Sequence, residues 1–158
     1  MRAFLLPALL WPAAAGAQDL AETHFSMNFC WEADYSAAHL AERPEQTVTA
    51  FRISREPAGY PKAPGDTLME MQVTFRSRDG GREGDEASAI GYCRPDGEDR
   101  LNCGIEGDAG NYSIQSQGPG ELLLSVGDRG MSFETRRDIR ELRADEGDDK
   151  AFLLRPCS

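Results

Sequence analysis

From Phe25 onward, apolar and polar residues alternate with a period of two, and this pattern constrains the fold more than any other feature of the chain. It is cleanest over residues 67–76. There Met69, Met71, Val73 and Phe75 fall on one face, and Glu70, Gln72, Thr74 and Arg76 on the other. That is the pattern of an antiparallel strand with one face in the core and one in water. The same test groups Phe25, Met27, Phe29 and Trp31, then Phe51 with Ile53, Tyr112 with Ile114, Leu122 with Leu124 and Val126, Met131 with Phe133, and Phe152 with Leu154. About eight or nine short strands result.

Turn signals separate them: Gly65-Asp66, Gly84-Asp85, Gly107-Asp108, Gly127-Asp128, Gly147-Asp148, Asp79-Gly80-Gly81 and Pro95-Asp96-Gly97. Glycine supplies positive φ and aspartate bonds its own backbone, so such pairs mark tight connections. A spacing of roughly 20 residues suits one hairpin per interval. The fold expected is all-β, an up-and-down antiparallel barrel of about eight strands, with a two-sheet β-sandwich as the alternative. One short helix is expected near the N-terminus, with Asp34 as N-cap, Ser36, Ala37, Ala38, His39, Leu40 and Ala41 in its body, and Pro44 stopping it. Ile139 and Leu142 suit either a further helical turn or a strand. The stretch 56–66 holds Pro57, Gly59, Pro61, Pro64 and Gly65, too many breakers for either element; it reads as a long loop or lid, with Tyr60 as its exposed aromatic.

The first residues have the three parts of an export signal: Arg2, the apolar run 3–11, and the small-x-small site Ala15-Gly16-Ala17. The division expected is a signal peptide over 1–17 and a single all-β domain over 18–158. The apolar run is shorter than the roughly 20 residues that cross a bilayer, and Pro7 and Pro12 interrupt it, so no stable membrane insertion is expected. Cys30 lies too far past the cleavage site to carry a lipid. The formal charge of -10 becomes -11 once Arg2 leaves with a segment that holds no acid. That balance repels nucleic acid and anionic lipid.

Cys30, Cys93, Cys103 and Cys157 form an even set in an exported chain, which favours two disulfides and a periplasmic or secreted location. Their spacing suits neither zinc nor a redox motif. A hairpin centred on Glu98 sets Cys93 opposite Cys103, and Cys30 with Cys157 then ties the first strand to the last; the other pairings stay open.

Little else carries chemistry. His24, on the polar face of the first strand, and His39, on the short helix, read as partly exposed histidines, and no G-x-S-x-G elbow aims a serine. Carboxylates cluster at 83–86, 98–99, 106–108 and 145–149, as solvated turns or at most weak calcium ligands without EF-hand order. Arg136, Arg137, Arg140 and Arg143 interleave with Asp138, Glu141, Asp145 and Glu146, which reads as a self-compensated surface. No catalytic residue, metal or cofactor is expected.

The patches His39, Gln46-Thr47-Val48-Thr49-Ala50-Phe51-Arg52 and Leu101-Asn102-Cys103-Gly104-Ile105-Glu106-Gly107-Asp108 resemble a group of uncharacterised small secreted, periplasmic proteins of alphaproteobacteria. They cover about a fifth of the chain after the signal, and the resemblance implies no activity. In those relatives a further cysteine stands where Gly107 is here, a departure that bears on the Cys93–Cys103 pairing.

The function expected is that of a non-catalytic exported binding module of the cell envelope, for a small apolar ligand lined by Met69, Met71, Val73 and Phe75, because methionines adapt to irregular partners. The alternative is a protein-interaction or inhibitor module that presents the acidic loop 94–100 to an envelope hydrolase. An enzyme built on paired carboxylates is a third and weaker reading.

Overall fold

In the computed structural model the alternation becomes a closed antiparallel barrel. The structure describes residues 20–26, 28–56, 63–77 and 84–158. The residues expected to form an export signal, Met27, the centre of the proline-rich loop with Tyr60, and Asp79-Gly80-Gly81 with Glu83 lie outside the described residues. The elements are α1 (Leu20–His24), β1 (Cys30–Asp34), α2 (Ala37–Glu42), β2 (Val48–Arg55), β3 (Thr67–Phe75), β4 (Glu86–Pro95), β5 (Arg100–Ile105), β6 (Gly110–Gly118), β7 (Glu121–Glu134), β8 (Ile139–Leu142) and β9 (Ala151–Pro156).

Each strand from β1 to β7 pairs antiparallel with the next, and β9 returns between β7 and β1 to close the ring. Eight strands make the barrel; β8 is an extra one that pairs with the far half of β7, from Met131↔Leu142 to Glu134↔Ile139. Eight strands enclose a space that side chains can fill. Here Phe51, Phe75, Phe133 and Phe152 meet at its centre, with Phe51 and Phe152 ring centroids 4.7 Å apart, and Met69, Met71, Leu101, Ile114, Leu122 and Leu124 packed fully buried around them.

Several expectations need correction. Phe25 and Phe29 do not share a strand with Trp31; β1 starts only at Cys30, and His24 ends the one-turn helix α1 rather than lying on a strand face. Phe25 is still buried, edge-on to Phe29 at 5.0 Å, so burial that looked like strand alternation comes from a helix end and the segment after it. The α2 cap is Ser36, whose Oγ accepts the His39 backbone N–H at 3.2 Å; Asp34 ends β1 instead. Ile139 and Leu142 lie on a strand.

Gly127-Asp128 is not a hairpin turn. The inward positions of β7 change phase between Val126 and Met131, because residues 127–130 bulge opposite the single β6 residue Asn111. Asn111 holds the bulge, its Oδ1 accepting the Arg129 N–H and its Nδ2 donating to Asp128 Oδ1, both at 3.0 Å. Gly130 takes the positive φ of 70° that the bend requires.

Candidate functional site

The inner face of β3 was the first candidate for a ligand site. Met69, Met71 and Phe75 are fully buried and Val73 nearly so, all within the one continuous core. They touch the protein's own side chains.

The hairpin of β4 and β5 is built differently. Cys93 and Cys103 are direct register partners and form a disulfide, and both are buried. Tyr112 Oη lies 3.5 Å from Cys93 Sγ, and burial pushes that phenol far above its ordinary pKa, so it stays neutral. Above the disulfide the chain turns through Gly97 at φ 84°, and the Asp96 N–H donates to the Arg100 carbonyl at 2.9 Å. Neighbours brace the turn on both sides: the Leu20 N–H donates to the Glu98 carbonyl and the Ser116 N–H to the Asp99 carbonyl, each at 3.0 Å. Asn102 Nδ2 donates to Asp96 Oδ2 at 2.9 Å. At the hairpin base, Arg94 Nε meets the largely buried Asp66 carboxylate at 2.6 Å, a hydrogen bond that raises the Arg94 pKa further. The result is a fixed, exposed acidic tip carrying Asp96, Glu98 and Asp99.

The arginine cluster pairs with its neighbours only in part. Arg143 lies within 3.6–3.8 Å of Glu141, Asp145 and Glu146, and Arg140 meets Asp138 at 3.2 Å. Arg137 and Arg140 also reach Asp85, at 3.5 and 3.6 Å, a partner on the approach to β4 that local spacing could not show. Beside them an open groove of about 610 Å³ runs over the outer face of β3 and β4, lined by Glu70, Gln72, Asp85, Ser88, Arg136 and Arg137.

A second outer groove, of about 510 Å³, lies where β1 and β9 meet α2, lined by Glu32, Asp34, Tyr35, His39, Leu153 and Arg155. The His39 ring stacks on Tyr35 with centroids 4.7 Å apart, and its Nε2 lies 2.9 Å from Oε1 of the buried Gln46. Burial, helped by the Asp149 charge, pushes the Tyr35 phenol up to about 12. Ser36 Oγ, on the same groove, is engaged by the His39 backbone N–H, and Arg155 is engaged with Glu121 at 2.9 Å. His24 packs edge-on to Trp31 at 5.4 Å, and burial lowers its pKa.

Asp149 is the residue that sequence reasoning misplaced. It is not a solvated turn acid: it is buried, and it accepts from Thr47 N–H and Thr47 Oγ1, both at 2.6 Å, and from Val48 N–H at 3.1 Å. Its carboxylate clasps the start of β2 to the approach to β9. Among the described residues no group of three or more His, Cys, Asp or Glu is placed to hold a metal ion, and no helix is long and apolar enough to cross a membrane. Two disulfides suggest an oxidising compartment. No protein-family model, no curated protein and no solved structure matches the chain.

Proposed function

We propose that the chain is a non-catalytic, exported protein-interaction module whose binding element is the acidic tip at residues 96–99. The observation that carries this reading is the bracing of the tip: a buried disulfide lies directly beneath it, and backbone hydrogen bonds to Leu20 and Ser116 hold it from either side. A loop ordered before binding loses little conformational entropy when it docks, so contacts convert into affinity with less loss. A formal charge of -10 adds attraction to a basic face, and a hydrolase acting on the cell envelope is a partner of that kind. The core-filled inner face of β3 favours this outer surface over a ligand held inside the barrel.

The test is capture of partner proteins from the exported fraction by the immobilised domain, at low and at high salt, beside a variant carrying Asp96→Asn, Glu98→Gln and Asp99→Asn. Capture by the parent that falls with salt and is lost in the variant supports the reading. Equal capture by parent and variant contradicts it.

A further inference from the structure

The two disulfides differ in what surrounds them. Cys93 and Cys103 are buried at 0% and 6% exposure, whereas Cys30 and Cys157 are both partly exposed. The strands that Cys30–Cys157 joins pair over a short register. Between β1 and β9 the register runs over two pairs, Trp31↔Pro156 and Glu32↔Arg155. Beyond the register, the Cys157 N–H donates to the Cys30 carbonyl at 3.1 Å and the Ser158 N–H to Glu32 Oε1 at 3.3 Å, while Trp31, Ala33, Phe152 and Leu154 pack into the shared core. By contrast β3 and β4 stay in register from Thr67↔Cys93 to Thr74↔Glu86. This seam is where the ring of strands closes.

A cation stands beside one sulfur of the seam. Arg52, exposed on β2, places Nε 2.9 Å from Cys30 Sγ. A guanidinium there stabilises a thiolate on Cys30 and makes Cys30 the better leaving group in exchange.

We propose that Cys30–Cys157 is a thiol–disulfide exchange site, cut by an external dithiol while Cys93–Cys103 stays intact, and that cutting it opens the β1–β9 seam. The dithiol's thiolate attacks Cys157 Sγ, the Cys30–Cys157 bond breaks, and Cys30 leaves as a thiolate facing Arg52. The dithiol's second thiol, as its thiolate, then attacks its own sulfur in the mixed disulfide and releases Cys157. The dithiol ends as a disulfide, having given two electrons and two protons, and both cysteines end as thiols. Trp31, next to Cys30 and buried, reports the opening.

The experiment is graded reduction of the native oxidised protein with dithiothreitol, quenching with iodoacetamide, and peptide mapping by mass spectrometry, with hydrogen exchange on the same samples. The result expected is alkylation of Cys30 and Cys157 while Cys93 and Cys103 remain linked. Amide exchange at residues 30–34 and 152–157 rises about tenfold, exchange in β4 and β5 is unchanged, and Trp31 emission shifts to the red. Arg52→Gln slows the release of Cys30 about threefold or more, and Arg52→Lys recovers part of the rate. Simultaneous alkylation of all four cysteines overturns the proposal, as does earlier opening of Cys93–Cys103. A cut seam whose amides exchange no faster, or an Arg52→Gln protein that reacts at the parent rate, overturns it equally.

Discussion

The hairpin of β4 and β5 and the seam between β1 and β9 carry the same kind of bond, and it does a different job in each. In the hairpin, Cys93 and Cys103 are 10 residues apart and sit inside a ladder that runs from Gly91↔Ile105 to Pro95↔Leu101. Strand pairing already brings them together, so the bond stiffens what is formed. At the seam, Cys30 and Cys157 are 127 residues apart and join strands with two register pairs. There the bond reinforces a short ladder. Loop-closure entropy ranks them accordingly, at about 3 kcal/mol for the short loop and about 5 kcal/mol for the long one. The short loop yields a rigid surface, the long one an intact ring.

The largest effect expected follows from that ranking. Replacing Cys30 and Cys157 with alanine should cost about 5 kcal/mol by denaturant unfolding, against about 3 kcal/mol for the Cys93 and Cys103 pair. Equal losses, or the reverse order, would show that loop length does not set what each disulfide contributes. Next comes the clasp at the other end of β9. Asp149→Ala leaves the Thr47 and Val48 N–H groups without their acceptor, and should cost about 3 kcal/mol, with faster amide exchange at the start of β2 and none added in the hairpin.

The smallest effect is a pH response at α1, the helix that packs beside Trp31. Burial holds the His24 pKa below 6.5, so the unfolded chain takes up its proton first as pH falls. Stability contributed by neutral His24 is therefore present above pH 6.5 and is lost as pH falls from there toward the lowered value. Since the His24 carbonyl accepts from Trp31 Nε1 at 3.3 Å, Trp31 emission should follow this loss, and His24→Gln should flatten it. A titration that also loosens the hairpin tip at Glu98 would show that α1, through its Leu20 N–H, couples the two regions.

Much of this architecture was legible in the sequence, because a period of two leaves a strand with one inner face and barrel closure needs only neighbours in order. The Met69, Met71, Val73 and Phe75 face and both disulfide pairings were readable on that basis. What stayed hidden depends on distant partners. Asp149 looks like one more acid in a run of acids until Thr47 and Val48 meet it. Asp85, which receives Arg137 and Arg140, lies far from them in the chain. The Gly127–Gly130 bulge passes for a turn, because glycine beside aspartate signals a reversal and a bulge alike. The acidic tip was visible as composition, but its bracing by Leu20 and Ser116 was not.

In the proposed reading, the barrel keeps its interior for its own side chains and recognises a partner from outside. Native mass spectrometry of the native protein, purified without reductant, tests this most directly. The result expected is the mass of the chain with two disulfides formed and no small molecule retained. A stoichiometric apolar adduct that survives purification would contradict it and return Met69 and Met71 to the role of ligand contacts.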